Sequence, residues 1–526
     1  MNSLPRIYVR GGGLADEATQ AEQALIDAGI PIYQRGGSLV RPVIEEADAS
    51  KGRRTKVAKL VEVTAEHLID KLCTTAVWFK KNGDTDRKVN PTHAVANILL
   101  NREGNWKFPV VAGVISAPTL RPDGTILETS GYDPVTRLIL VEPPPMPPIP
   151  ELPTKEDAVQ ALKLLNELLS EFPFVDNASR SAALSALITP VVRGAFSVAP
   201  MHAGRASTPG SGKSFLIDTA AAIATGQICP VMSAGQKEEE TEKRLGAALL
   251  ASQPLISIDN VNSELGGDAL CQAIERPIVD IRVLGESRRV RIESRATLFA
   301  TGNHIILHGD MTRRVLIFTL DPGLERPELR QFNHNPVDEV LSDRGKYIAA
   351  ALIVVRAYIV AGSPSLAKAL ASFEEWSNTV RSALIWLGMT DPVQTMETAR
   401  REDPVLQNMR AVLHSLRECL GYEVKCTAAE IAKIAWEKDS AGDYKYPELR
   451  DAVIQALNSK DGLISANLLG KWLRRHKERI VDGMRLEQQV DEHGHAAQWW
   501  LTNCAAHAAN SGLNDGASEE KVDVPF

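Results

Sequence analysis

The stretch Ser207–Gly226, STPGSGKSFLIDTAAAIATG, decides how this chain reads. Gly210 and Gly212, set among Pro209 and Ser211, let the backbone approach phosphates and turn successive N–H groups inward. Lys213 would reach the β- and γ-phosphates of a nucleotide, and Ser214 would ligate Mg²⁺. The helix expected to follow presents its positive end to the same phosphates. Ser207 stands where the pattern G-x-x-x-x-G-K-[ST] asks for glycine, which costs something only if that position needs a positive φ.

Three further elements follow in order. PLISIDNV, Pro254–Val261, is a short β-rich run that ends in an acid, Asp259, 46 residues after Lys213. An acid at the C-terminal end of a strand is placed to hold Mg²⁺. ATLFATGNH, Ala296–His304, is an apolar strand that delivers Asn303, a side chain able to orient a water near a γ-phosphate. GDMTRRVLIFTL then sets Arg313 and Arg314 just before another strand.

Taken in this order, STPGSGKS, LISIDN, LFATGN and GDMTRR resemble the Walker A, Walker B, sensor 1 and arginine-finger elements of AAA+ ATPases. The resemblance is to the helicase branch, superfamily 3 and MCM-like, as in phage and mobile-element replication proteins. It covers about 195–330 well and the flanks weakly. It implies ATP and Mg²⁺, a ring that is a homo-oligomer, hexameric by analogy, and sites shared between subunits. Lys213, Ser214, Asp259 and Asn303 would come from one subunit, and Arg313 or Arg314 from the next, as a finger stabilising transition-state charge. Asn260 stands where many such ATPases carry a glutamate, and Asn cannot act as a general base. Either another carboxylate serves, or hydrolysis rests on positioning and charge. The glutamates of KEEETEKR, Lys237–Arg244, are candidates, although a solvated helix face is the plainer reading.

Two stretches point to nucleic acid. VDIRVLGESRRVRIESRATLF reads as a β-hairpin just before the Asn303 strand and resembles the hairpin that helicase-type AAA+ proteins project into the ring channel. Arg288 and Arg289 at its tip would grip the phosphates of a single strand, with Arg282, Arg291 and Arg295 adding charge nearby. Between Lys460 and Glu487, seven Lys/Arg face four acids, against a chain total of -7. A helix, basic residues and a hairpin ending in AQWWL resemble a winged helix, with Lys471, Arg474, Arg475 and Lys477 as DNA contacts and Trp472 in the core.

The remaining organisation follows from composition. At 526 residues, 44% hydrophobic and 24% charged, the chain reads as several soluble domains. It has no apolar run long enough for a membrane span and no signal peptide. Six cysteines with no C-x-x-C fit a reducing cytoplasm. The Pro-rich EPPPMPPIPELP, 142–153, reads as a semi-rigid linker behind an N-terminal α+β domain, 1–141. That domain holds a Gly-Gly hairpin at 31–43, a helix from His93 and a β-meander over 117–141. Glu45, Glu46 and Asp48 form an acidic cluster there, more plausible as a solvated loop than as a metal site, and no paired D-x-D on a strand is read there to support polymerase or primase chemistry. The expected fold class is α/β: a helical collar (154–195), a P-loop AAA+ core (196–330), a helical region (331–423), a winged helix (424–505) and a disordered tail (506–526). The function expected is an ATP-driven DNA helicase or translocase. The alternatives are a loader or remodeller working with replication proteins, or a primase-helicase.

Overall fold

The computed structural model describes residues 4–48, 54–235, 238–261, 264–283, 288–459, 462–490 and 497–504. Five apolar runs, Val231–Ser233, Leu255–Asp259, Thr297–Gly302, Met201–Ala206 and Val315–Leu320, pair in that spatial order as one parallel sheet. Apart from the exposed edge strand Val231–Ser233, these strands are buried along nearly their whole length. Near-continuous burial is what a parallel sheet covered on both faces demands. The first strand in sequence, Met201–Ala206, lies inside the sheet; the chain leaves it on one side and returns on the other. The loop after it therefore sits where the strand order reverses, the place where open α/β sheets bind ligands.

The stretches expected as a separate collar belong to this core. Asn177–Ile188 is a helix whose residues from Ala178 onward are buried except for half-buried Arg180, and it packs on the Lys213–Thr225 helix and on Val315–Leu320. A helix buried on nearly every side has no broad solvent face to offer a collar.

The N-terminal module is α+β. Arg6–Val9 and Val77–Asn82 pair in parallel, Thr85–Val89 adds antiparallel, and the helices Leu14–Asp27, Ala65–Thr75 and His93–Leu100 close a core around Trp78, Leu25 and Leu99. Tyr33–Arg35 and Ser38–Asp48 form the expected hairpin. Its turn needs two residues with positive φ, which Gly36 (+56°) and Gly37 (+78°) supply. The 117–141 stretch is not a single meander. Thr119–Leu120 pairs with Ile126–Leu127, whereas Leu138–Leu140 pairs with Gly131–Asp133 and also runs parallel to Gly113–Ile115. Arg121, ion-paired to Asp133 at 2.9 Å, ties the two hairpins side by side.

The Pro-rich segment is not a spacer. It lies on the helix Arg344–Val360, where a Cβ on Gly345 would stand 1.9 Å from the Pro145 carbonyl oxygen. Arg356 Nη2 donates to the Glu151 carbonyl at 2.8 Å. Residues 1–306 and 313–397 accordingly form one compact unit.

The second unit comprises Thr398–Phe526 with Leu307–Thr312. It begins earlier than 424 because the helix Pro404–Leu420 lays Leu406, Met409, Val412, Leu413 and Leu416 into the core formed by Ile431, Leu449, Leu469 and Trp499. Asp403 caps that helix and accepts from Gly309 N at 3.0 Å, which holds 307–312 in the unit. Helices Ala428–Ala435, Pro447–Ala456 and Ala466–His476 precede an antiparallel pair, Met484–Val490 with Ala497–Asn503. Lys460 and the tail beyond 504 lie outside the described residues.

Candidate functional site

Four segments distant in sequence meet at the C-terminal edge of the parallel sheet. The 207–212 loop connects the central strand to the Lys213–Thr225 helix, with Gly210 at φ +73° and Gly212 at +97°. Ser207 does not adopt positive φ, so the missing first glycine costs the loop nothing. Gly204 has the opposite kind of need: a Cβ there would meet the Phe318 ring at 2.7 Å and Lys213 Cβ at 3.2 Å. Its bare backbone lets the helix start press against the strand.

Lys213 is buried, and its Nζ donates to Asn303 Oδ1 at 3.0 Å and to the Thr208 carbonyl at 3.3 Å. Burial lowers the Lys213 pKa, and the charge of Asp259 pulls it back. Asp259 ends its strand and accepts from the Thr301 hydroxyl, on the neighbouring strand that delivers Asn303. Lys213, Asp259 and Asn303 are thus brought together as the sequence order implied. Ser214 is exposed at the start of the helix.

Asn260 has φ +57°. Asn tolerates the left-handed region better than most residues do, so Asn260 suits its backbone, although Glu142, Glu423 and Glu478 also take positive φ. Three glutamates of the Glu238–Leu250 helix are engaged with other partners. Glu239 pairs with Lys243 at 2.8 Å, Glu240 pairs with Arg244, and Glu238 accepts from Asp268 N at 2.9 Å. A carboxylate not foreseen from sequence, Asp218, lies one helical turn beyond Ser214. Burial raises its pKa, its acceptance from Cys229 N at 3.0 Å opposes that, and the Asp259 charge adds to the rise. Its four-residue spacing from Ser214 was the available signal.

The arginine pair divides. Arg314 is 5% exposed and bonds Glu275 through Nε at 2.9 Å and also through Nη2. Arg313 keeps 46% of its side chain exposed, 3.7 Å from the same carboxylate. The Ser372 hydroxyl, first among the causes, and then Arg314 and Arg313 hold Glu275 low against the effect of burial. Arg314 is therefore a buried strut, and only Arg313 is presented outward.

Beside the loop lies a pocket of about 370 Å³, part of it open to solvent, walled by Leu168, Phe172, Phe215, Phe332 and Arg330. Arg330 lies over the Phe332 ring at 5.1 Å and donates to the Glu171 carbonyl at 2.9 Å. Asn333 donates to the Glu171 carboxylate through its backbone N at 3.0 Å and its side chain at 2.6 Å. None of these residues carried a motif; they meet only because the 326–336 segment folds back over the loop.

Ile278–Arg282 and Arg289–Glu293 form the expected hairpin. Val279, Ile281, Val290 and Ile292 face inward while Arg282, Arg289 and Arg291 face out. Arg289 bonds Asp280 across the strands at 2.9 Å. Arg288 is exposed beside the Gly37 turn, and 284–287 lie outside the described residues. Arg295 departs from expectation: 13% of its side chain is exposed and its Nη1 donates inward to the Phe196 carbonyl.

In the second unit, Lys471, Arg474 and Arg475 stand exposed on one face of the Ala466–His476 helix, opposite buried Leu469 and Leu473. Lys477 follows the helix and pairs with Glu478 at 3.1 Å. Trp472 packs against the core and tilts over His476 at 4.3 Å.

Glu45, Glu46 and Asp48 lie on the strand Ser38–Asp48 rather than in a loop, and Glu45 pairs with Lys59 at 2.7 Å. The six cysteines are free. Among the described residues no helix is long and apolar enough to cross a membrane, and no group of three or more His, Cys, Asp or Glu could hold a metal.

No family model and no curated protein matches the chain. Among solved structures it is similar to the NrS-1 C-terminal region in its A form apo structure, at 12% identity and a TM-score of 0.38, over 92% of this chain and 99% of that one.

Proposed function

We propose that the chain is an ATP-driven motor on DNA, a helicase or translocase of the AAA+ superfamily 3 type that works as a ring in replication. One observation carries the reading: Lys213, Asp259 and Asn303 converge on the positive-φ glycine loop at the point where the strand order reverses. A triphosphate laid there meets backbone N–H groups, a helix N-terminus and Lys213 at once. The aromatic pocket beside the loop, with Phe172, Phe215 and Phe332 as walls, offers apolar faces against which a nucleobase would stack.

A magnesium ion suits Ser214 and Asp259, since Mg²⁺ takes one or two carboxylates and completes its shell with water and phosphate oxygens. When bound it would neutralise charge on those oxygens. Lys213 exchanges Asn303 for phosphate, and Asn303 is then released to orient the attacking water. With Asn260 unable to take a proton, positioning and charge carry the rate. Arg313 is the finger that reaches a neighbouring subunit's site; Arg314 stays with Glu275. The outward arginines of the 278–293 hairpin and the Lys471, Arg474 and Arg475 face would hold DNA phosphates.

The test is ATP hydrolysis with and without single-stranded DNA, on the wild type and on Arg288→Ala/Arg289→Ala. DNA-stimulated hydrolysis that the double variant loses is the expected result. A wild-type rate indifferent to DNA would defeat the reading.

A further inference from the structure

At the opposite, N-terminal edge of the same sheet lies a second cavity with about 400 Å³ of empty space, part of it open to solvent. Its apolar walls are Ile115, Leu138, Val191 and Pro254, and its polar residues include Arg193 and Arg295. Both guanidiniums donate to one acceptor, the Phe196 carbonyl, each through Nη1 at 2.6 Å. The two Nη1 atoms are therefore no more than twice that distance apart.

Two cations so close and so deeply placed need compensating charge. They receive little. Arg193 is 7% exposed, and its hydrogen bonds go to carbonyls only, those of Phe196 and Ser197. Arg295 reaches Glu293 at 3.1 Å, but Glu293 is shared with Arg137 at 2.7 Å. Glu375, the other acid whose charge is felt here, is taken up by Ser197 N at 2.7 Å and Ser197 Oγ at 2.9 Å. Arg344 is half-buried nearby, and its donors go to Ile223 O, Ala224 O and Ser116 Oγ. Among the described residues the buried Nε atoms of both Arg193 and Arg295 lack a hydrogen-bond partner. Burial, with the Arg295 charge adding to it, pushes Arg193 down to about 9. The group is held charged against its surroundings.

We infer that this cavity is a binding site for a small oxyanion of the phosphate class, held by the paired guanidiniums of Arg193 and Arg295. Arginine forks match the oxygens of such an anion, and a charge-assisted bond in a desolvated cleft is among the stronger polar contacts. The site lies between the Ile115–Thr119 segment of the N-terminal module and the residues that enter the central sheet. The anion would therefore tie the module to the core. The site is independent of the proposed nucleotide site, which occupies the other edge of the sheet.

The test is thermal unfolding of the full chain in inorganic phosphate against sodium chloride of equal ionic strength, on the wild type and on Lys213→Ala, Arg193→Met and Arg295→Lys. A ligand that binds only the folded state raises the midpoint with concentration. The expected result is a phosphate-specific rise in the wild type that Lys213→Ala retains at least in part and that either arginine variant diminishes. If phosphate protects the wild type no better than chloride, the site does not exist, whatever the variants do. If Lys213→Ala abolishes the protection, the anion binds at the glycine loop instead and the inference fails. Should Arg193→Met not fold, Arg295→Lys and the wild-type comparison still decide it.

Discussion

Lys213 and Asn303 meet across 90 residues of sequence, Nζ to Oδ1 at 3.0 Å. The contact brings the start of the Lys213–Thr225 helix and the end of the Thr297–Gly302 strand to the same point. Under the proposed mechanism the two residues act on different parts of one reaction. Lys213→Ala should weaken nucleotide binding and abolish hydrolysis. Asn303→Ala should keep binding and lower kcat about 10²–10³-fold, the usual cost of losing one transition-state donor. The double variant should be no slower than Lys213→Ala alone, as for residues acting as a unit. Steady-state phosphate release and equilibrium binding of a fluorescent ATP analogue measure the two effects separately.

Adjacent arginines should behave oppositely. Arg314→Ala removes the buried partner of half-buried Glu275 and should destabilise the fold by about 2 kcal/mol, the scale of a charged hydrogen bond. Arg313→Ala should leave stability within about 0.5 kcal/mol, because the side chain is half exposed. Hydrolysis by the assembled protein should nevertheless fall in Arg313→Ala. Urea unfolding read beside hydrolysis at several protein concentrations distinguishes them.

Asn260 is fitted to its backbone. Asn260→Gly should be tolerated with full activity. Asn260→Glu should cost about 1 kcal/mol of stability, the penalty for a side chain ill suited to the left-handed region. A large gain in hydrolysis by Asn260→Glu would show that a missing base, not geometry, limits the rate.

Stability should fall on mild acidification, in part through one residue. His202 is fully buried in the central strand, its Nε2 is 2.9 Å from the Ser185 hydroxyl, and burial pushes its pKa down to about 3. The unfolded chain takes up a proton near pH 6.5 and the folded chain does not. The contribution is therefore complete above pH 6.5 and is lost as pH falls toward 3. Linkage puts the loss at about 2 kcal/mol between pH 7 and pH 5. His202→Gln should flatten that part of the profile in urea titrations.

The Pro-rich segment is part of the packed unit, and Gly345 is where that shows. Gly345→Ala places a methyl group against the Pro145 carbonyl and should lower stability by about 2 kcal/mol, within the range for overpacking. A flexible linker would make the same substitution harmless; differential scanning calorimetry tells them apart.

The glycine loop, the strand ending in Asp259, the strand leading to Asn303, the 278–293 hairpin and the basic helix face were legible from sequence because each rests on local rules. Glycine spacing, β-branched runs and helical periodicity need only neighbours along the chain. The collar, the linker and the 424 boundary were misread for a related reason. Proline content and helical pattern describe a segment's own preferences and do not say what it lies against.

The sequence by itself determined the order of the chemical residues and the kind of element that carries each. Tertiary structure alone decided that Arg313 faces out while Arg314 turns in, that Asn260 answers to a left-handed backbone, and that Phe172, Phe215 and Phe332 wall one pocket. It also decided that Arg193 and Arg295 share one carbonyl in a cavity. Those outcomes depend on burial and on distances between residues far apart in the chain. Hydrophobic packing sets such distances for the molecule as a whole, and no local pattern encodes them.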